Sequence, residues 1–425
     1  MTSLPTKREH ELSARYRAVR AQTTALSAPL SAEDMQVQSM ADVSPTKWHL
    51  AHTTWFFETF VLARYDPAHR PVDPGYALLF NSYYEAVGPR HPRPSRGLLS
   101  RPGIDEVRRY RQVIDARMLE LLDGPRLDDE ARAVITLGLH HEQQHQELIL
   151  TDVQHVLSVS PLRPAYLRRT EGPPSVAPLS VRQPSFFAHR GGDVEVGHAG
   201  SAFAFDNETP RHRVHLEPFE IASRPVTCGE YLAFIRDGGY ERPEHWLSDG
   251  WAAVQAHGWR APMYWEESEP EGFVTFTLEG MRAVELDAPV SHVSHFEADA
   301  YAHWAKARLP TEAEWEVFAQ ECSVDDAQAN LLESGRLMPV AAGDGATQVF
   351  GDVWEWTASP YVAYPRYRPL AGALGEYNGK FMSGQMVLRG GSCFTPRSHL
   401  RATYRNFFPP PTRWQMAGIR LARWP

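Results

Sequence analysis

Cysteine is scarce in this sequence: Cys228, Cys322 and Cys393 are the only ones in 425 residues, and none belongs to a C-x-x-C pair. So few separated thiols exclude the disulfide framework of a small secreted scaffold. The first residues, MTSLPTKREHELSARYR, contain no apolar segment of the kind found in a secretory signal. We therefore expect a cytoplasmic protein whose thiols stay reduced.

Long apolar runs and an excess of positive charge are missing as well. No run reaches the roughly 18 apolar residues that a membrane span needs. Lys and Arg total 43 against 52 Asp and Glu, a net charge of -9, whereas nucleic-acid-binding proteins show clustered excess Lys and Arg. These absences exclude a membrane protein and argue against a nucleic-acid partner.

Histidine and aromatic residues are plentiful instead, with 19 His, 12 Trp, 16 Tyr and 19 Phe. Such side chains often line metal or small-molecule sites. The hydrophobic share of 43% and the charged share of 22% match those of globular proteins. At about 150 residues per domain, the length allows two or three domains. The composition leaves a soluble enzyme or a binding protein for small molecules.

The first part of the chain, residues 1–160, has a helical character. Its helix-forming composition and its capping signals, such as Ser44-Pro45, predict long helices. Long helices with mostly short connections are typical of a four-helix bundle. The predicted helices cover residues 7–26, 46–65, 104–124 and 130–158.

The second part has a different pattern. Residues 161–186 contain six prolines, which predict a semi-rigid connector. From 187 to 425, short alternating segments such as GGDVEVG and QMVLRGGS are bounded by Gly and Pro, as strands are. Only two helical pieces interrupt them, near residues 228–239 and 297–320. This pattern predicts an irregular α+β domain whose long loops are free to carry a site.

The strongest chemical signal is the motif HEQQH, which begins at His141 and ends at His145. Positions i and i+4 of a helix lie on one face, so both imidazoles can reach one metal ion. The second predicted helix offers His49 and His52. A third histidine from that helix would complete a metal site in the core of the bundle. Imidazole suits Zn, Cu, Fe and Ni, so the residue type leaves the metal open.

Two other interpretations of these histidines remain. HEQQH matches the zinc-peptidase motif H-E-x-x-H, with Glu142 as general base, but Thr151 stands where the extended motif requires a third histidine. The histidines can also be ordinary core or surface residues. In that case the chain is a non-catalytic protein that binds its ligand through the second domain.

Longer segments in both halves resemble one known family. The segments WHLAHTTWFFETF, LFNSYYE, HPRPSRGLLSRPG, HHEQQHQELILTD, LPTEAEWE, GDVWEWTASPY, EYNGKF and VLRGGSCFTPRSHLRATYRNFF are similar to the bacterial ergothioneine-biosynthesis sulfoxide synthases, in the same order. These nonheme iron enzymes join a DinB-like four-helix bundle to an irregular, C-type-lectin-like formylglycine-generating-enzyme (sulfatase-modifying factor) domain. The resemblance implies this multidomain α and α+β fold, with the bundle in residues 1–160 and the second domain in residues 187–425.

The resemblance also implies a reaction. The family uses Fe(II), with O2 as co-substrate, to couple a thiol to the imidazole of hercynine (N-alpha-trimethylhistidine), giving a sulfoxide. By the same resemblance, His52, His141 and His145 are the iron ligands. Tyr83 and Tyr84 match the tyrosine pair of the cysteine-using branch, in which one tyrosine is a proton donor.

Further residues are implied to contact the substrates. Amide side chains would face the imidazole, aromatic rings would face the trimethylammonium group because a cation is attracted to a π-face, and guanidinium groups would bind a carboxylate. Without the resemblance, core packing for the rings and solvent exposure for the arginines would be equally natural. The amides are those of Gln144 and Asn406, the rings are those of Phe407, Phe408 and Trp414, and the guanidinium groups are those of Arg93 and Arg96.

The formylglycine-generating enzyme binds copper through a cysteine pair near its RGGS segment. Here that region contains only Cys393, so a two-thiolate copper site is not available. The second domain is therefore expected to shape the substrate pocket rather than to carry a metal of its own.

Two segments depart from the family pattern. After YRNFF the family has a run close to YPHQRWQF, whereas residues 409–416 read PPPTRWQM; before VLRGGS a common Cys-Asn-Gln is replaced by Ser-Gly-Gln at 383–385. Consecutive prolines stiffen the chain and would reshape the pocket rim. We therefore favour a selenoneine synthase, which takes a selenosugar, over a sulfoxide synthase that takes cysteine or gamma-glutamylcysteine.

Overall fold

A computed structural model describes residues 7–124, 127–167, 184–269, 272–321, 329–343 and 347–425. The chain forms two compact units. The first unit runs to Tyr166 and also includes Ala371–Tyr377, while Leu167–Leu370 and Asn378–Pro425 form the second unit. Most of the predicted connector, residues 168–183, lies outside the described residues. No motif in the sequence indicates that a short segment of the second half belongs to the first unit.

The first unit contains the four-helix bundle that the sequence predicts. Helices α1 and α2 each pack against both α5 and α6, and two shorter helices lie in the connection between α2 and α5. The helices are α1 (Lys7–Ser27), α2 (Thr46–Phe57), α3 (Ala63–Tyr65), α4 (Tyr76–Phe80), α5 (Ile104–Leu122) and α6 (Asp129–Ser158).

Helix α2 is the most deeply placed of the four. All of its residues from Thr46 to Phe57 are buried, the polar ones included. It passes through a π-helical turn, Glu58–Leu62, into α3, so the helix predicted over 46–65 is continuous but not regular. The N-terminal cap of α2 differs from the prediction, in which Ser44 is the N-cap and Pro45 is the first helical residue. Pro45 is the residue before the first turn, and Ser44 instead donates its backbone N–H to Asp152 Oδ2 at 2.8 Å.

Helix α6 begins as its sequence predicts. The carboxylate of Asp128 accepts the backbone N–H of Ala131 at 2.7 Å, and two acidic residues occupy the first turn, where the helix dipole favours negative charge. Further along, Gly138 faces Phe56 and Phe57, and a Cβ at this position would lie 2.7 Å from each ring. The missing side chain therefore permits the close approach of α6 to α2.

The second unit is an irregular α+β domain, as predicted. Its core contains Trp315, Phe318, Phe219 and Ile221, all buried. Its helices are α7 (Cys228–Arg236), α8 (Ser248–His257), α9 (His295–Trp304) and α10 (Glu312–Glu321). Its strands are β1 (Phe186–His189), β2 (Gly192–Val196), β3 (His212–Leu216), β4 (Phe219–Ala222), β5 (Trp265–Ser268), β6 (Gly272–Thr277), β7 (Gly280–Ala283), β8 (Trp354–Pro360), β9 (Met386–Arg389), β10 (Asn406–Phe408), β11 (Ala417–Gly418) and β12 (Ala422–Arg423).

The strands form four small sheets, with orders β1-β4-β12, β10-β9-β8-β11, β2-β3 and β5-β6-β7. In the four-stranded sheet, β9 pairs antiparallel with both β8 and β10. Within the described ranges, no helix combines the length and the apolar composition that crossing a bilayer requires.

Candidate metal centre

Three buried histidines of α2 and α6 meet inside the bundle. Nε2 of His52 lies 3.2 Å from Nε2 of His141, and one ring nitrogen of each of His52, His141 and His145 lies within 4.8 Å of the other two. Metal–imidazole bonds of about 2.0–2.1 Å place neighbouring ligand nitrogens about 3 Å apart. The predicted set of three histidines thus has the spacing of a metal site.

Burial keeps these imidazoles neutral. It lowers the pKa of His141 to about 4 and holds the pKa values of His52 and His145 well below the ordinary value. The neutral ring is the form that binds a metal. The group is therefore ready to take up a cation at neutral pH without first losing protons.

The ring of His52 is fixed from three sides. Its Nδ1 lies 2.6 Å from the backbone oxygen of Phe80, which ends α4. Trp48 stacks on one side at 4.5 Å between ring centroids, and Trp55 stacks at 5.7 Å. The carbonyl accepts a hydrogen bond from Nδ1–H, which leaves the lone pair of His52 Nε2 available to a metal. His49, the other candidate on α2, is outside the group of three.

Glu142 does not face the three histidines as a free base. Its buried carboxylate pairs with Arg20 at 2.9 Å and Arg111 at 2.5 Å, and it also accepts the hydroxyl of Thr23 at 2.7 Å. Burial alone would raise the pKa of Glu142, but the two guanidinium groups hold it at about 2. A carboxylate whose lone pairs are already engaged by these donors is poorly suited to the general-base role that a zinc peptidase requires.

The two tyrosines implied by the resemblance lie in different surroundings. Tyr84 is buried, and its ring contacts those of Trp55 and Phe60. Burial raises the pKa of the Tyr84 phenol well above its ordinary value. Tyr83 is less buried, and its hydroxyl lies 3.5 Å from Nη1 of Arg93.

A third tyrosine, which sequence reasoning missed, joins the site. The ring of Tyr377 stands perpendicular to that of His141 at 5.9 Å between centroids, and its hydroxyl donates to Oε1 of Gln144 at 3.0 Å. The preceding carboxylate, Glu376, accepts the backbone N–H groups of Glu85 and Ala86, each at 2.9 Å. The segment EYNGKF was already part of the family resemblance, but nothing local indicated that its tyrosine packs against a bundle histidine.

Arg96 is a buried cation that lies against Trp48, the ring that stacks on His52. It is 4% exposed, its guanidinium lies 3.3 Å above the ring of Trp48, and it donates to Ser44 Oγ at 2.9 Å. Burial lowers its pKa to about 9. No carboxylate forms an ion pair with Arg96 in the part of the chain that the structure describes. Arg93, in contrast, donates to the backbone oxygen of Asp42.

The other predicted substrate contacts belong to the second unit. Phe407 stacks on Tyr361 at 4.0 Å, and Phe408 meets Trp414 edge-on at 5.8 Å. The side-chain oxygen of Asn406 accepts the N–H of Phe407 at 2.9 Å. Their roles toward a substrate stay predictions.

The two segments that depart from the family pattern lie next to each other in this second unit. Ser383–Gln385 leads into β9, and Pro409–Pro411 follows β10. Because β9 and β10 are antiparallel and Met386 pairs with Phe408, both segments emerge from the same end of one strand pair.

Family models match both units of the chain. Residues 15–149 match the DinB superfamily, and residues 174–341 and 334–425 match the sulfatase-modifying factor enzyme 1-like domain. The predicted fold class is therefore confirmed.

Three related proteins have names that bear on function. Hercynine oxygenase of Mycolicibacterium thermoresistibile is 34% identical over 92% of this chain and 90% of its own length, and that of Mycobacterium tuberculosis is 34% identical over 89% and 91%. Ergothioneine biosynthesis protein 1 of Schizosaccharomyces pombe is 27% identical over 52% of this chain and 28% of its own length. Similarity over nearly the whole length, with both constituent domains matched, shows that this chain belongs to the hercynine oxygenase family.

Proposed function

We propose that this protein is a cytoplasmic, nonheme Fe(II)- and O2-dependent enzyme that couples a chalcogen donor to the imidazole of hercynine. The observation that carries the proposal is the buried, neutral group of His52, His141 and His145 in a chain of the hercynine oxygenase family. The proposed substrates are small molecules, and neither nucleic acid nor membrane takes part.

The donor set fits Fe(II). Three imidazoles with no carboxylate among them suit iron as well as the other imidazole-binding metals. When bound by His52, His141 and His145, iron supplies the redox chemistry that O2 requires. In the overall reaction, the imidazole C–H and the S–H or Se–H each lose hydrogen. One oxygen atom ends on the chalcogen, and the other leaves as water.

The surrounding side chains are proposed to bind and orient the substrates. Arg96 brings a buried positive charge without a described carboxylate partner, which suits the carboxylate of hercynine or of the donor. Gln144 presents its amide beside the ligand histidines. Arg93, Asn406, Phe407, Phe408 and Trp414 retain the substrate-contact roles that the resemblance implies.

The proton donor is proposed to be a tyrosine of the first unit. Tyr84 and Tyr83 are the candidates from the sequence, and Tyr377 joins them because its ring packs on His141. The hydrogen bond from Tyr377 to Gln144 links its hydroxyl to a residue with a proposed substrate contact. We assign the role to Tyr377 on this geometry, with Tyr84 as the alternative.

For the donor, we propose a selenosugar, so that the protein is a selenoneine synthase. The support is that the two departures from the family pattern, at 383–385 and 409–411, flank one strand pair and can reshape a single surface. The alternative is a sulfoxide synthase that takes cysteine or gamma-glutamylcysteine. It is favoured by the names of the relatives, which are hercynine oxygenases and an ergothioneine biosynthesis protein.

A donor panel tests the proposal. Protein loaded with Fe(II) is supplied with hercynine and either a selenosugar, cysteine or gamma-glutamylcysteine, while O2 uptake and product masses are recorded. We expect hercynine-dependent O2 uptake and a C–Se product, and a C–S product alone would assign the sulfoxide synthase. Histidine in place of hercynine and His141→Ala are the controls. No hercynine-dependent uptake with any donor would contradict the proposed function.

A further inference from the structure

His49 connects the ligand group to a buried carboxylate. Its Nδ1 lies 2.8 Å from Nδ1 of His145, and its Nε2 lies 3.0 Å from Oδ2 of Asp152. The three side chains are all buried, with 7% or less of each residue exposed. A continuous chain of hydrogen bonds therefore runs from a proposed ligand to a carboxylate, wholly within the bundle.

These contacts determine where the protons lie. An ionised carboxylate only accepts hydrogen bonds, so His49 donates from Nε2–H to Asp152. A neutral imidazole has one proton, and in His49 the hydrogen bond to Asp152 places it on Nε2. Nδ1 of His49 is thus an acceptor, and His145 donates to it from Nδ1–H. This tautomer leaves the lone pair on Nε2 of His145, the atom available to a metal.

The Asp152 carboxylate, at the end of this series of hydrogen bonds, is held in place. Its Oδ2 also accepts the backbone N–H of Ser44 at 2.8 Å, at the point where the chain enters α2. Its Oδ1 has no hydrogen-bond partner among the described residues. His49 and one backbone amide are therefore the donors that the structure shows for Asp152.

The other two ligand histidines are supported differently. Nδ1 of His52 meets the neutral backbone oxygen of Phe80 at 2.6 Å, while Nδ1 of His141 has no partner in the part of the chain that the structure describes. A hydrogen bond from the outer nitrogen of a ligand histidine fixes its tautomer and raises its basicity. A hydrogen-bond path to an anion raises the basicity of the ligand further. Of the three proposed ligands, His145 has such a path, through His49 to Asp152.

We propose that His49 and Asp152 are positioning residues of the metal centre, which hold His145 in the tautomer that presents Nε2 and strengthen its binding to the metal. They act through His145 and touch neither metal nor substrate. The inference rests on the proposed metal site and extends it to the residues behind the ligands.

Co(II) binding to the full chain, measured in competition with a chromophoric chelator, tests this role. We expect His49→Gln and Asp152→Asn each to weaken binding by about 10- to 100-fold, and Asp152→Glu to recover part of the loss because it restores the charge. The control is His69→Gln, since His69 is a buried histidine of the same unit that contacts Glu58 and Arg117. Variants of His49 and Asp152 that bind Co(II) as tightly as the wild type would overturn the inference.

The tautomers of the wild-type protein give a second readout that needs no variant to fold. Nitrogen NMR of isotope-labelled histidine distinguishes Nδ1–H from Nε2–H. We expect Nδ1–H at His145 and Nε2–H at His49 in the metal-free protein, and Nε2–H at His145 would overturn the inference. A wild-type chain that binds no Co(II) would instead contradict the proposed metal site, so the two failures are distinguishable.

Discussion

At the scale of single residues, Glu142 and Glu130 lie on the same helix in opposite surroundings. The ion pairs of Glu142 with Arg20 and Arg111 are buried, whereas the pair of Glu130 with Arg64 is exposed. Removing one partner of a buried pair leaves an uncompensated charge inside the protein. The motif HEQQH therefore contains a structural carboxylate between its two histidines.

This difference predicts unequal effects of one chemical change. We expect Glu142→Gln to lower the free energy of unfolding by about 3 kcal/mol or more. Glu130→Gln, the matched control, should lower it by about 0–1 kcal/mol. Urea denaturation followed by circular dichroism measures both. Equally small losses would mean that the buried network adds little to stability.

The tyrosines give a second prediction at this scale. We expect Tyr377→Phe to retain iron, because no ligand is removed, and to change the product distribution, because the hydroxyl that bonds Gln144 is lost. Iron content and product masses are measured with Tyr84→Phe in parallel. If Tyr84→Phe changes the products and Tyr377→Phe does not, the proton-donor role belongs to Tyr84.

At the scale of elements, the close approach of α6 to α2 depends on Gly138. A methyl group there would lie 2.7 Å from the rings of both Phe56 and Phe57. Alanine is the better helix former by about 1 kcal/mol, but overpacking a core costs about 1–3 kcal/mol. Sterics and propensity therefore oppose each other at this position.

We expect sterics to prevail, so that Gly138→Ala lowers the midpoint of thermal unfolding. The control is Gly343→Ala, because a Cβ at Gly343 meets nothing within 4 Å. A rise in the midpoint for Gly138→Ala would show that the two phenylalanine rings move aside at little cost.

The segment Ala371–Tyr377 is the second element with a specific anchor. Glu376 receives two backbone N–H groups, from Glu85 and Ala86, in an exposed location. Hydrogen bonds to a charged acceptor contribute about 1.5–3 kcal/mol when buried and less when water competes. We expect Glu376→Ala to speed hydrogen exchange at the two amides by about fivefold, or ~1 kcal/mol. Exchange that matches the control Glu120→Ala, which removes an exposed carboxylate from α5, would contradict this anchoring.

At the scale of the whole molecule, the proposed metal site couples metal binding to folding. A ligand that binds only the folded state stabilises it by about 2.7 kcal/mol at a concentration 100 times its dissociation constant. We expect Co(II) to raise the thermal midpoint of the wild type and a chelator to reverse the rise. His52→Ala, His141→Ala and His145→Ala should each abolish the shift. A variant that keeps the full shift would identify a wrongly assigned ligand.

The sequence by itself determined much of this protein. Helix composition and capping located the four long helices to within a few residues, because these signals act between near neighbours along the chain. The spacing of His141 and His145 placed both on one face of α6, since the period of a helix is local information. Extended motifs identified the family and with it the two-domain fold.

Tertiary structure decided how those pieces meet. It placed His52 beside His141 and His145, it put His49 in hydrogen-bond contact with His145, and it turned Glu142 toward the arginines of α1 and α5. It also brought Tyr377 to Gln144 from more than 200 positions along the chain. Such contacts depend on the angle and register at which separate elements pack. Residue type and local spacing fix which face a side chain is on, but the partner on the opposite element is fixed only when the core is packed.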